Sequence, residues 1–196
     1  ENNIPNAENQ VQDLNEILRV RREKLDNLIK AGKNPFEKVK YNRTAYSQVI
    51  KDNYALKYGG GFYSKYSEVS LTNSEVKNNV SKDYGGGIDF ENSNKINIES
   101  VTVQGNNSKE GGGISFFNVT NAYLKDVVVK GNTATKNGTV WSNLSTIKWD
   151  NGLISGNKAS IASAFYIKGR SETVLKNITI SGNESTSGSP IDKASL

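Results

Sequence analysis

Acidic, aromatic and basic residues fall in two rows from which a single ligand could be held. At a step of about 26 residues, Tyr63, Asp89, Ser115, Trp141 and Tyr166 form one row, and Lys65, Glu91, Phe117, Asn143 and Lys168 form the next. Aromatic faces stack on the C–H faces of sugars, and carboxylates and amides bond their hydroxyls. On that chemistry Tyr63, Asp89, Glu91, Phe117, Trp141, Tyr166 and Lys168 are candidate ligand-binding residues for a glycan. A plainer source of the pattern also exists, since aromatic residues favour strands and stack along a sheet. Asp89 and Glu91 share one face of a strand, with Cα atoms about 6.7 Å apart. Glycoside hydrolysis needs two carboxyls flanking the scissile bond, one with a raised pKa. The spacing permits that role, but no neighbouring repeat adds an acid to the face, so binding is the stronger expectation.

Other chemistries are excluded by composition. The 196 residues include no Cys and no His. That removes disulfides, thiolate nucleophiles, Ser-His dyads and the usual zinc ligands. Asp89 and Glu91 alone are too few oxygen ligands for Ca²⁺. No metal and no cofactor is therefore expected. Net charge is only +5, from 25 basic and 20 acidic residues. The basic residues crowd the first 60 positions, so a polyanion would meet the front of the chain sooner than the rest. No run approaches the ~18 apolar residues of a membrane span. The chain starts at Glu1 without a signal-peptide pattern, which leaves its compartment open. Sequons at Asn118, Asn137, Asn143 and Asn177 matter only in a glycosylating host.

The rows come from a repeat. Gly59-Gly60-Gly61, Gly85-Gly86-Gly87 and Gly111-Gly112-Gly113 recur 26 residues apart. Asn79, Asn106, Asn132, Asn157 and Asn183 extend the register with steps of 27, 26, 25 and 26. Period-2 alternation within each repeat predicts three short strands. The first points Phe62, Ile88, Ile114, Val140 and Phe165 inward, with Phe90 and Phe116 two residues on. The second adds Ile96, Ile98, Leu124 and Trp149, and the third Val101, Val103, Val129 and Ile180. Repeats this short bury their apolar residues only by stacking one on the next. The fold class expected is mainly β, a right-handed parallel β-helix of about five coils with an N-terminal α-helical segment. The Asn column should stack as a ladder of amides, and Asn73, Ser100, Asp126, Asn151 and Asn177 should form a second column at a corner.

The glycine triplets, each followed by Phe62, Ile88 or Ile114, and the Phe90-Glu91-Asn92 element resemble the pectate-lyase-like β-helix superfamily over about residues 58–183. The likeness is to its surface-adhesin and polymorphic outer-membrane passenger branch. It implies a non-catalytic surface scaffold. Catalytic motifs of the lyases and polygalacturonases are absent, and Gly138-Thr139-Val140 and Ser163-Ala164-Phe165 depart from the triplet.

At the front, Val11, Leu14, Ile17, Leu18, Val20, Leu25, Leu28 and Ile29 carry the spacing of an amphipathic helix, with Gly32 and Pro35 as stop signals. Residues 13–54, with Leu14-Asn15-Glu16, the run Val20 to Leu25, and Pro35-Phe36, resemble the N-terminal segment of class II lysyl-tRNA synthetases. The resemblance holds none of that family's catalytic motifs and implies ancestry or fusion rather than aminoacylation. Arg19, Arg21, Arg22 and Lys24 are candidate nucleic-acid contacts, or simply the solvated face of the helix.

The expected organisation is an N-terminal helix and linker over 1–54, a β-helix over 55–183 and a Ser-rich tail over 184–196. The first function expected is a β-helix scaffold binding a glycan or a surface protein. The alternatives are a carbohydrate-active enzyme using Asp89 and Glu91, and a tRNA or nucleic-acid contact through the basic helix. The β-helix likeness implies an extracellular or cell-surface location, whereas the synthetase likeness implies the cytoplasm.

Overall fold

A computed structural model describes residues 7–32 and 48–194. The chain divides into two compact units, Glu1–Tyr46 and Ser47–Leu196.

The first unit contains helix α1, Ala7–Lys30. Leu18, Val20, Leu28 and Ile29 of the expected stripe lie exposed on it. Lys30 complements the helix dipole in the last turn. Gly32 takes a left-handed φ of 67° just past the end and donates its N–H to the Ile29 carbonyl at 3.0 Å, the geometry that closes a helix. The side chains of Val11, Leu14 and Ile17, and Pro35, lie outside the described residues, as does most of the synthetase-like stretch beyond Gly32.

The second unit is a parallel β-helix. Its first coil is β1 (Val49–Lys51), β2 (Tyr54–Ala55) and β3 (Phe62–Lys65). The second is β4 (Glu68–Lys77), β5 (Val80–Ser81) and β6 (Ile88–Glu91). The third is β7 (Lys95–Gln104), β8 (Asn107–Glu110) and β9 (Ile114–Phe117). The fourth is β10 (Ala122–Lys130), β11 (Thr133–Asn137) and β12 (Val140–Asn143). The fifth is β13 (Thr146–Ser155), β14 (Lys158–Ile161) and β15 (Phe165–Lys168). The sixth is β16 (Glu172–Ser181), β17 (Glu184–Ser185) and β18 (Ile191–Ala194). Each strand pairs in parallel with its equivalents one coil away, giving three sheets of six strands.

Six coils form where five were expected. The first begins at Val49, in the stretch assigned to the linker, and the last runs through the stretch assigned to the tail. The strand count per coil is three, but the divisions differ. The second and third expected strands are halves of one long strand, bent where Asn73, Ser100, Asp126, Asn151 and Asn177 take φ between 48° and 57°. Asn and Asp tolerate this left-handed conformation better than most side chains, which explains the composition of the column. The strand that sequence reasoning missed follows the Asn column, as β5, β8, β11, β14 and β17.

The core is the stack of inward rows. Ile88, Ile114, Val140 and Phe165 are fully buried. So are Phe90 and Phe116, whose rings stack at 5.5 Å. The ladder forms as expected and gains a member at its start. Asn53 donates Nδ2–H to Asn79 Oδ1 at 2.9 Å. Asn79, Asn106, Asn132 and Asn157 then each donate both backbone N–H and Nδ2–H to the next carboxamide oxygen, at 2.8–3.1 Å. Each Nδ2 also reaches a backbone carbonyl, from Ile50 for Asn79 to Val129 for Asn157. Glycine makes room for the stacking. A Cβ on Gly86 would stand 2.3 Å from the Gly112 carbonyl oxygen, and one on Gly112 2.2 Å from that of Thr133.

Asn132→Ala should lower stability in urea unfolding by roughly 2–4 kcal/mol. It removes the partners of the Asn106 N–H and the Val103 carbonyl, each costing about 1–3 kcal/mol when unpaired and buried, while Asn157 Oδ1 keeps the Asn132 backbone N–H. A loss below about 0.5 kcal/mol would show that the ladder does not hold the coils together.

Candidate functional site

The outward face of β3, β6, β9, β12 and β15 was expected to be a flat, solvent-facing platform. The strands do place those side chains outward, but Asp89, Ser115 and Trp141 are only 2%, 0% and 4% exposed. What covers them is a column just ahead of the glycine triplets. Tyr58, Tyr84 and Glu110 are paired in parallel across three coils. The ring of Tyr58 stacks on Tyr63 at 5.3 Å and on Tyr84 at 5.9 Å, and Tyr84 packs against Trp141 at 5.4 Å. The small side chain of Ser115 leaves the notch that lets Tyr84 reach Trp141 in the coil beyond. The result is a cleft of about 370 Å³, within the range of small-ligand sites.

Of the residues predicted from the sequence, Asp89, Glu91, Phe117, Trp141 and Lys168 line the cleft. Tyr63 stands at its margin and donates its hydroxyl to Glu91 Oε2 at 2.6 Å. Tyr166 does not line it. Tyr58, Tyr84, Glu110, Lys136, Ser115 and Asn143 were not among the predicted site residues, yet line it too. The signal for two of these was present, since Tyr58 and Tyr84 each immediately precede a glycine triplet.

Arg19 is held by Glu16 at 2.7 Å and Glu23 at 3.0 Å, so one member of the basic cluster already has acid partners. Arg21, Arg22 and Lys24 are exposed on α1.

The two central acids sit in opposite electrostatic states. Burial pushes the Asp89 carboxyl up to about 7, the nearby Glu91 charge adds to this, and Ser115 partly offsets it. The Ser115 offset outweighs the Glu91 charge but not the burial. Burial also acts against the Glu91 anion, but hydrogen bonds from Lys65 and Tyr63 and the charges of Lys65 and Lys57 outweigh it, and its carboxyl titrates below the ordinary range. The Lys65–Glu91 pair is 2.7 Å long. Glu110 in turn pairs with Lys136 at 3.4 Å. Asp89 and Lys168 are the charged lining residues without an ion pair among the described residues. Two further polar atoms are buried and unbonded at the cleft, Ser115 Oγ and Trp141 Nε1. Phe117 stacks beside Trp141 at 6.5 Å, which continues the aromatic wall. Among the described residues there is no group of three or more side chains able to hold a metal ion.

No model of a protein family matches the chain, and no curated protein and no solved structure matches it either. The fold therefore rests on its own geometry, and what the cleft does must be argued from the cleft.

An acid whose folded pKa is raised contributes stability that is fully present below its unfolded value of 3.8 and lost as pH rises through about 7. Asp89→Asn should thus match the parent near pH 4 and exceed it at pH 8.5, by up to about 4 kcal/mol. Thermal unfolding at the two pH values tests this; a difference independent of pH would mean that Asp89 is not the desolvated acid described.

Proposed function

We propose that the β-helix is an adhesin-like, non-catalytic scaffold and that the cleft on its outer face binds a glycan. The observation that carries this reading is the combination in one cleft of an aromatic wall, Tyr84, Trp141 and Phe117, with carboxyl and amide groups from adjacent strands. Sugars present C–H faces and hydroxyls together, and such a wall with polar neighbours meets both. The lining strands lie about 4.8 Å apart, so the stretch from Glu91 to Lys168 covers roughly 14 Å along the stack. That length fits a short oligosaccharide lying parallel to the axis of the coils. A surface location follows from the same reading, since a rigid rod of stacked coils suits display of a binding face.

A glycan array with the whole chain tests it. Phe117→Ala is the informative variant, because Phe117 is only half-buried and its loss should spare the fold. It should weaken binding by about tenfold, the scale of one aromatic contact. Retention of full affinity by both Phe117→Ala and Trp141→Ala would remove the aromatic wall from the account.

One observation favours a second reading, hydrolysis of a glycosidic bond. Asp89, held protonated toward neutrality, and Glu91, held ionised, form the kind of split pair that general-acid chemistry needs. In that case reducing-end release from a bound oligosaccharide should fall by at least a hundredfold in both Asp89→Asn and Glu91→Gln. Equal release by parent and variants, or none by the parent, leaves the binding reading alone.

A further inference from the structure

The unbonded polar atoms of the cleft are concentrated at its floor. Asp89, Ser115 and Trp141 follow one another in a single outward row, paired through β6, β9 and β12. Ser115 Oγ and Trp141 Nε1 are buried without a hydrogen-bond partner, and Asp89 has no ion pair among the described residues. Leaving such groups unmatched is unfavourable. Indole N–H is a donor only, a serine hydroxyl can donate, and a protonated carboxyl donates its O–H. The floor therefore offers donors, and the group that completes it is a hydrogen-bond acceptor.

The surroundings decide the charge of that acceptor. The groups facing Asp89 are Tyr63 from β3, Ser115 from β9, Tyr58, Tyr84 and Glu110 from the overhanging column, and Glu91 on its own strand with Lys65 across it. Lys136 bridges to Glu110, and Lys168 stands three strands away, about 14 Å along the stack. Asp89, Glu91 and Glu110 thus converge on this end of the cleft. A ligand carboxylate pressed into the floor would add an anion where water is already excluded, with its nearest lysines committed to other acids. A neutral carbonyl avoids that cost. The wall beside the floor is aromatic, Tyr84 at 5.4 Å from Trp141 and tilted by 50°, and it suits a methyl group.

We propose that the floor formed by Asp89, Ser115 and Trp141 is a subsite for the acetamido group of an N-acetylated sugar. The carbonyl oxygen takes the floor donors and the methyl lies against Trp141 and Tyr84. Reaching the floor requires an overlying side chain to move, since the Nε1 and Oγ atoms are buried in the free protein. A ligand that covers Asp89 removes its remaining water and favours its neutral form. Binding then takes up a proton wherever free Asp89 is ionised, above about pH 7.

This inference rests on the glycan reading, and its test separates the two. Trisaccharides of the gluco and galacto series, in N-acetylated, plain and uronic forms, are titrated calorimetrically into the whole chain at pH 5.5, 7.0 and 8.5. An N-acetylated member should bind at least tenfold more tightly than its plain counterpart, and its affinity should fall by close to tenfold per pH unit above 7. Ser115→Ala removes one small hydroxyl from the floor, so it should fold and lose part of the N-acetyl preference. Asp89→Asn should flatten the pH profile. Equal or tighter binding of the plain or uronic forms, or a flat profile in the parent, overturns the subsite while leaving glycan binding intact. Failure of every sugar to bind overturns both.

Discussion

The structure depends on one repeated contact, the transfer of two donors from each ladder asparagine to the carboxamide oxygen of the next. That oxygen has two lone pairs, and the backbone N–H and Nδ2–H of one residue fill both. The remaining Nδ2 proton goes to a backbone carbonyl of the preceding coil, as Asn106 does to Val76 at 3.0 Å. A turn that would otherwise bury unpaired amides is satisfied by a single residue type. The contact also fixes where each coil begins. A coil one residue longer or shorter can be absorbed in a loop, and the steps do vary between 25 and 27, but the asparagine must return to the column. A serine column supports the opposite corner more loosely. Ser145 Oγ accepts the Val119 N–H at 3.0 Å, and Ser171 Oγ accepts that of Ser145 at 3.1 Å.

With the register fixed from inside, the outward rows are free to vary, and the site is a product of that freedom. Inward positions are apolar in most coils, with Ser64 and Ser142 standing in the row of Phe90 and Phe116. The outward row of the same strands runs Tyr63, Asp89, Ser115, Trp141 and Tyr166, with no two neighbours alike. Size variation along this row makes a surface relief. The large Trp141 beside the small Ser115 makes a step, and Tyr84 leans into it. The glycine triplets add the second wall. By letting the backbones of three coils approach closely, they bring Tyr58, Tyr84 and Glu110 into one column over the strand face. Where the triplet gives way to Gly138-Thr139-Val140, Thr139 Oγ1 instead bonds the Ser163 carbonyl at 2.7 Å.

This division explains what could be read from the sequence. Periodic features were legible. The ladder, the inward rows, the bent corner at Asn73 and its equivalents, and the parallel stacking all follow from residues recurring at fixed steps. Features without a period were not. Of the first coil β3 was read and β1 and β2 were missed, because they are three and two residues long and lie in a stretch that resembled something else. Of the last coil β16 was read and β17 and β18 were missed, because they are short and set among serines. At the site, alternation correctly assigned Asp89, Glu91, Phe117 and Trp141 to the outer face, but outward is not the same as exposed. Whether an outward residue meets water depends on what stands over it, and that came from a different segment of the coil, ahead of the triplet. The tyrosines at 58 and 84 signalled the overhang, but alternation within a strand has no means of saying that two segments lean together.

Asp89 is where the local rules are broken. Every other buried position in the outer row is neutral, and Glu110, 9% exposed, has a lysine at 3.4 Å. Asp89 is buried with no ion pair among the described residues, and Ser115 offsets the cost only in part, which makes its ionised form unfavourable by several kcal/mol. A structural role does not need the carboxyl. Serine fills the equivalent position in the next coil and tryptophan the one after, so the row accepts small and large side chains alike. Sequences that fold consistently tolerate such a conflict chiefly where a site requires it. The conflict also coincides with the cleft, with the unbonded Ser115 and Trp141 atoms, and with the meeting of the Tyr84 and Trp141 rings from two segments. A burial penalty alone would be an accident of packing; burial, missing partners and an adjoining cleft at the same three residues indicate a floor built to be completed by something that arrives from outside.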